Sequence, residues 1–472
     1  MKPVAIIGAG ITGLTAAFSL RRLNIPVTVY EAGNRVGGAI RSVYEDGYLA
    51  DFGPTTILET TRKIAGLFTN LGLDNRKLYS DPAAKNRYIV RAGKPVPVPD
   101  SPLKFFLSPL FTLRMKLQLL IEPFIPPRRD GHEESVAEFV LRRLGREFLD
   151  RAIDPLVSGI YAGDPYKLSV PQAFPRLHAL EQRYGSLIKG QIFGAKERKK
   201  RDEIPKMLAP KVSFDFGLHV LIEALRAYIG GALKLNCKVT ALAKRADSWV
   251  LTYVQSGTPT HAEHSAVVYA GTAYDLATLD LVAGQKVDLS QFAKIYYPPV
   301  ASVVLGFKRD DVEHPLDGFG VLVPRIEGLK ILGTIFSSSL FPNRAPAGHV
   351  TLTTYIGGAR APDLAMKTES ELIEITYRDL GVILGVKGKP TFHRCVVYPK
   401  AIPQYELGYG TFRAKMAEIE TAAPGIFFAG HYRDGISVGD SITSALNTSE
   451  RVQRYIAGLE KTVPRTPAAT AG

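Results

Sequence analysis

Residues 4–31 constrain this chain more than any other stretch. Val4–Ile7 is a short apolar run, and Gly8, Gly10 and Gly13 punctuate a turn. Leu14, Ala17, Phe18 and Leu20 then recur at helical spacing, and Val27–Tyr30 is a second apolar run ending on Glu31. Gly8-Ala9-Gly10-Ile11-Thr12-Gly13 is therefore a G-x-G-x-x-G placed between a strand and a helix, with an acidic residue 18 positions past its last glycine. That whole context, rather than the glycines alone, predicts a dinucleotide-binding unit. Gly8 permits the tight turn, Gly10 lets backbone approach a pyrophosphate, and Gly13 allows close helix–strand packing. The helix N-terminus offers unpaired N–H groups to phosphate. Glu31 is placed to accept hydrogen bonds from a ribose diol. A ligand-free βα turn is the plainer alternative.

The residues after Glu31 distinguish between dinucleotides. Arg35, Gly37 and Gly38 complete an E-x-x-x-R-x-G-G pattern, in which two glycines let a second loop approach the cofactor and Arg35 offsets phosphate charge. Near the other end, 426–429 reads as a strand, 430–439 as a loop and 440–456 as a helix. Together these resemble the flavin amine-oxidase superfamily, and the resemblance implies FAD. It also implies that the last helix points its N-terminus at the flavin, where its dipole would stabilise negative charge arising on reduction.

Further segments resemble one branch of that superfamily, the protoporphyrinogen oxidases. They are Asp51-Phe52-Gly53-Pro54, Asn86-Arg87-Tyr88-Ile89 with Gly93-Lys94, Ser158-Gly159-Ile160-Tyr161-Ala162-Gly163-Asp164-Pro165 followed by Leu168-Ser169, Ser213-Phe214 through Gly217-Leu218 and Leu221, and Ala401-Ile402-Pro403-Gln404-Tyr405. The resemblance implies an apolar tetrapyrrole substrate carrying propionates. Arg87 would hold a propionate, Phe319 and Leu322 would sandwich the ring, Tyr355 would line the pocket, and Gly159 and Gly163 would keep its floor thin. From periodicity alone, Phe319, Leu322 and Tyr355 read as ordinary strand packing, and Arg87 reads equally well as a surface ion pair. By the same resemblance, the cofactor contacts extend to Ala32, Ala39, Gly53, Pro54, Thr55, Thr56, Val239, Gly430, His431, Ile436, Ser437 and Val438. Tyr398, His431 and Ala39 depart from the residues commoner at those places in the family. The implied reaction takes a hydride from a methylene bridge to flavin N5, with dioxygen as acceptor, in three two-electron rounds. No side chain is singled out as a general base.

The expected fold is mixed α/β, with a discontinuous Rossmann-like FAD-binding domain (1–75, 211–280, 420–458). A β-sheet substrate domain (76–97, 281–419), a helical membrane-docking domain (98–210) and a flexible tail (459–472) complete it. Residues 231–253 read as a hairpin or meander, and strands are expected at 300–307, 319–324, 330–336 and 350–356. Phe105, Phe106, Leu107, Leu110 and Phe111, flanked by Lys104, Arg114 and Lys116, have the composition of an interfacial anchor. No run is long and uncharged enough to span a bilayer. The net charge of +14 points to an acidic partner, and the basic run at 196–201 is expected to meet anionic lipid or to be a solvated loop. Nucleic acid is not among the expected partners, and the oligomeric state, a homodimer included, is left open. With no leader read at the start, the expected location is the cytoplasmic face of a membrane. Cys237 and Cys395 are too far apart in sequence for a metal knuckle, and His261 and His264, placed in a hairpin turn, lack further ligands; no metal is expected.

Within the same fold, coproporphyrinogen III oxidation is the nearest alternative, because four carboxylates would suit the excess of cations; Lys85 and Arg91 are candidates. A general amine or carotenoid oxidase and a flavin-free binding protein for lipidated GTPases are weaker. The 159–165 segment speaks against the former and the intact glycines against the latter.

Overall fold

In the computed structural model, which describes residues 1–194, 204 and 209–462, the chain divides into two compact units. Each is assembled from separated stretches. The first takes Met1–Gly38, Leu221–Lys294 and the chain from Phe412; the second takes Ala39–Val220 and Ile295–Thr411. The basic run at 196–201 and the tail from 463 onward lie outside the described residues.

The first unit holds a five-stranded parallel sheet in the order Leu233–Lys234, Val27–Tyr30, Val4–Ile7, Val267–Tyr269, Ile426–Phe428. Val4, Ala5, Ile6, Val29, Val267 and Val268 are fully buried, as strands covered on both faces require. Helix Ile11–Arg22 follows the glycine turn, and the long helix Val438–Thr462 packs along it, with Ser449 Oγ donating to the Ala16 carbonyl. That last helix starts two residues before its expected start and runs past Gly458, so the beginning of the expected tail is helical.

A second sheet in this unit contains the meander Cys237–Arg245, Ser248–Gln255, Thr258–His264. The alternation read continuously from Leu233 is in fact split between two sheets. Asn236, at φ 54°, turns the chain through the left-handed region, so Leu233–Lys234 joins the parallel sheet and a new strand starts at Cys237. His261 and His264 lie in a strand, not in a turn. Three positions apart, they face opposite sides: His264 sits between Tyr30 Oη and the Pro3 carbonyl, and His261 meets Thr252 Oγ1. Among the described residues, no group of three His, Cys, Asp or Glu could hold a metal ion.

The second unit is built on a seven-stranded mixed sheet. Its order is Phe392–Tyr398, Val300–Lys308, His349–Gly357, Ile331–Phe336, Gly318–Leu322, Asn86–Arg91, Lys94–Pro97. Helix Glu369–Leu384 covers one face and adds Leu372, Leu380, Ile383 and Leu384 to a core with Tyr88, Val321, Leu352 and Ile356. Thr368 and Glu371 form a capping box at its start, and Gly385, at φ 65°, ends it.

The stretch from Pro102 to Phe193 is mostly helical. Its apolar residues sort differently from expectation. Leu110 and Phe111 are buried in a cluster with Ile89 and Met115. Lys116 is buried too, its Nζ donating to the carbonyls of Phe106 (2.7 Å) and Ser108 (2.8 Å). It therefore closes the end of helix Pro102–Leu107 and does not serve as a surface cation. Of the expected anchor Phe106 and Leu107 are exposed, and Leu103, Leu113, Leu117, Leu120, Ile121 and Phe124 are exposed near them. The helix Leu113–Ile121, which carries four of them, ends at a buried ionic knot. Glu122 accepts from Arg143 (2.6 Å), Ser186 Oγ and the N–H groups of Leu187 and Ile188. Among the described residues, no helix is long and apolar enough to cross a membrane.

Candidate functional site

In the first unit, the glycine turn is compact for the reasons its sequence implies. Gly8 stands at φ 100°, and a Cβ there would lie 2.9 Å from the Ala270 carbonyl oxygen. At Gly13 a Cβ would overlap the Gly8 carbonyl outright. Gly10 caps helix Ile11–Arg22 with no neighbour within 4 Å of where its Cβ would point, so the space before the helix is open. The second glycine loop runs beside it. Gly37 donates to the Ala9 carbonyl (2.8 Å) and bridges to Gly10, and Gly37 and Gly38 both have positive φ. Two backbones bare of side chains thus flank a helix N-terminus, a cradle that fits a pyrophosphate.

Glu31 braces this cradle. Its Oε2 accepts from Ala9 N (2.7 Å) and its Oε1 from Gly33 N (2.8 Å), so each oxygen keeps lone-pair capacity for a diol. The Arg35 guanidinium donates to the Val36 and Gly38 carbonyls and so pins its own loop. Ala32 is exposed beside it.

The C-terminal loop reaches the same cradle from the other end of the chain. Gly430, at φ 117°, donates to Ser444 Oγ (2.9 Å), and a Cβ on it would sit 3.4 Å from Thr12 Oγ1. Ser437 Oγ accepts from Asp440 N, and the Asp440 carboxylate accepts from Ser437 N, which fixes the start of the last helix at Val438, after Ile436. Burial pushes the pKa of His431 down to about 4, so its ring is neutral at physiological pH. Val239 lies in the second sheet, opposite Tyr253 and next to a bulge.

The remaining candidates belong to the second unit. Gly53, at φ 72°, receives a hydrogen bond from Tyr355 Oη at its carbonyl (2.7 Å), and a Cβ there would meet the Ala39 carbonyl at 2.8 Å. Tyr398 Oη donates to that same Ala39 carbonyl (3.2 Å). Pro54, Thr55 and Thr56 continue this loop, with Thr55 buried. Behind it, buried Asp51 accepts from Ser42 Oγ and Leu218 N and pairs with Arg344.

Strand register brings the substrate candidates together. Tyr355 is opposite Gly333, Gly333 is opposite Leu322, and Leu322 is opposite Ile89, forming one row across four strands. This row lies on the face turned away from helix Glu369–Leu384, since the alternate positions Ile356, Val321 and Tyr88 enter the core on that helix's side. Alternation along the strand puts Arg87 and Arg91 on the Ile89 face. Phe319 and Leu322 are three apart and would face opposite sides of a regular strand. Gly320, at φ 155°, is an extra residue relative to the neighbouring strand: Gly318 pairs with Asn86, but Val321 pairs with Tyr88. The bulge reverses Phe319, which packs beside Ile335 and Phe341 on the Leu322 face.

Helix Asp154–Tyr161 covers this row. A Cβ on Gly159 would come within 2.5 Å of Leu322 Cδ2, and one on Gly333 within 3.2 Å of the same atom. Two glycines thus make room for one leucine. Gly163 is set apart, buried against Gln404 and Leu168. Burial lowers the pKa of Arg87; burial and then the Arg87 charge lower that of Lys211.

Sequence reasoning did not single out Gly333 or Lys211, and it read Ile89 only as part of the Asn86–Ile89 segment. The Gly-Phe-Gly at 318–320 could have signalled the bulge, because glycine inside a strand pattern marks one. Nothing local could have linked Lys211 to the Arg87 charge.

Residues 11–453 match the family model described as flavin containing amine oxidoreductase. Protoporphyrinogen oxidase 2 of Arabidopsis thaliana is 35% identical over 96% of this chain and 94% of its own length. Coproporphyrinogen III oxidase of Staphylococcus aureus is 32% identical over 96% of this chain and 99% of its own. The crystal structure of a provisionally assigned protoporphyrinogen oxidase from Exiguobacterium sp. 255-15 superposes with a TM-score of 0.79 at 24% identity, covering 96% of this chain and 99% of that one.

Proposed function

The chain belongs to the flavin-containing amine oxidoreductase family, and from that premise we propose that it is an FAD-dependent oxidase of protoporphyrinogen IX. The observation that carries the substrate reading is the row Tyr355–Gly333–Leu322–Ile89, with Phe319 and Arg87 on the same sheet face. An apolar strip with a cation at one end suits a flat macrocycle whose acidic arms lie to one side. Full-length relatives named protoporphyrinogen oxidase support the same assignment.

FAD would be held by the cradle of Gly8, Gly10, Gly13, Gly37 and Gly38, with Glu31 toward its ribose and the helix beginning at Val438 toward its ring. When bound, it supplies the hydride acceptor, and dioxygen, reduced to peroxide, is the terminal oxidant. The chain's own part is to orient and to shield. Arg87 fixes a propionate, Leu322 and Phe319 hold the ring face, and Tyr355 ties the ring-lining strand to the Gly53 loop. Each round removes a hydride from a methylene bridge and a proton from a pyrrole nitrogen, and three rounds give the aromatic porphyrin.

The domain reading carries over as a proposal: an FAD-binding part, a sheet-based substrate part and a helical part that meets the membrane. Leu113, Leu117, Leu120, Ile121 and Phe124 line one exposed side of their helical stretch. With Leu103 and Leu107 they suit shallow insertion into one leaflet, which gives peripheral attachment at a cytoplasmic surface.

A second reading has its own observation. Arg91 lies on the same strand face as Arg87, and the Arg87 charge is felt at Lys211; a set of cations suits the four carboxylates of coproporphyrinogen III. The deciding experiment records bound-flavin absorbance, then follows porphyrin fluorescence with each porphyrinogen in parallel. Faster turnover of protoporphyrinogen supports the main reading, and preference for coproporphyrinogen transfers it to the second. A flavin-loaded protein inactive on both overturns the substrate assignment.

A further inference from the structure

The helix Asp154–Tyr161 seats Gly159 on Leu322, and a buried arginine bonds to the same helix. Arg360 follows the ring-lining strand by three residues, after Gly357 and Gly358 turn the chain at φ 100° and 66°. The turn is pinned: Ala359 N donates to the Ala162 carbonyl (2.7 Å), and Gly358 N to that of Pro299 (2.8 Å).

From there the guanidinium reaches in two directions. One terminal nitrogen donates to the Val323 carbonyl (3.0 Å), next to Leu322. The other donates to Asp154 Oδ2 (3.0 Å) and Ser158 Oγ (3.0 Å), one turn apart on the helix. Asp154 Oδ2 also accepts from Arg325 N (2.8 Å), just past the same strand. Arg360 and Asp154 are each more than nine-tenths buried at the side chain. Ser158 and Gly159 are adjacent, so the same helix turn meets Leu322 and, through Arg360, the carbonyl that follows Leu322.

We propose that Arg360 is a positioning residue that clamps helix Asp154–Tyr161 to the strand end at Val323 and so sets how closely Gly159 rides on Leu322 in the substrate strip. This rests on the assignment of that strip to a porphyrinogen. The planar fork is what the position needs, because it must serve a carbonyl on one side and a carboxylate and a hydroxyl on the other. A lysine carries the charge but cannot span both.

The test uses the flavin-loaded full chain with R360M, R360K and the milder S158A. Hydrogen exchange is measured across 154–163, with 300–308 as internal reference, and KM and kcat are measured with the preferred porphyrinogen. R360M is expected to speed exchange at 154–163 at least tenfold with the reference strand unchanged. KM should rise about tenfold, with kcat within threefold and flavin content intact. R360K should fall between R360M and wild type. In the R360M/G159A pair, the KM effects should not multiply, since both act on one gap.

Unchanged exchange at 154–163 overturns the clamp. Exchange raised equally throughout the unit, or loss of kcat and flavin without a KM change, also overturns it by showing a merely structural role. If R360M does not fold, S158A, which removes one hydrogen bond, is judged by the same two readouts. If wild-type protein turns over neither porphyrinogen, the functional reading fails and with it the role in setting the strip, while the exchange data still decide whether the clamp exists.

Discussion

The two candidate regions, one in each unit, are built by opposite means. The cradle of the first unit is made of backbone: five glycines, a helix end, and a carboxylate that braces the turn. The strip of the second unit is made of side chains from four strands, aligned by register and by one bulge. Where backbone does the binding, side chains are excluded and substitution is intolerable. Where side chains do it, each contributes a share and substitution is graded.

That contrast orders the expected effects. Gly13→Val should be the most damaging, because its side chain would overlap the Gly8 carbonyl. Flavin absorbance per chain should fall more than tenfold, and a flavin-replete G13V protein would break the comparison. Gly320→Val comes next. It puts a β-branched side chain at φ 155° against the Thr334 carbonyl and removes the device that turns Phe319. Porphyrinogen KM should rise well over tenfold while flavin binding persists, which steady-state kinetics and an absorbance spectrum would separate.

Arg87→Ala should be milder. Losing a charge-assisted hydrogen bond costs about 1.5–3 kcal/mol, so KM should rise roughly 10- to 100-fold with kcat little changed. An equal fall in kcat would instead mean that Arg87 acts in the transition state.

A smaller effect concerns pH. The ring of His431 stays neutral in the folded chain down to about pH 4, whereas the unfolded chain protonates near the ordinary 6.5. Stability is therefore intact above about pH 6.5, falls as pH drops through that interval, and levels off below about pH 4. Denaturant titrations at pH 7 and 4.5 should show wild type losing about 1–2 kcal/mol more than His431→Gln. The smallest effect on stability is expected of Leu117→Ser with Leu120→Ser. Both side chains are more than half exposed, so stability should shift by under about 0.5 kcal/mol while sedimentation with anionic vesicles is lost.

Legibility in the sequence followed the same division. The strand–turn–helix–strand of residues 4–31 was readable because every interaction that makes it is local, and the element bounds there agree with the expected ones. The fates of Lys116 and of the Leu233–Val239 alternation were not readable. A lysine among apolar neighbours looks the same in sequence whether it points to solvent or caps two carbonyls. A period-two pattern likewise does not show that the chain changes sheets at Asn236. The resemblance named Phe319 and Leu322 as partners before any register was known, but only the bulge at Gly320 explains how residues three apart share a face.

The sequence by itself determined the dinucleotide turn and the family, because glycine placement and short-range periodicity act through neighbours along the chain. Tertiary structure decided which residues form one strip and which contacts hold the helix over Leu322. Those depend on register, burial and contacts such as Arg360 with Asp154, between residues 206 positions apart, and no local pattern encodes a distance of that kind.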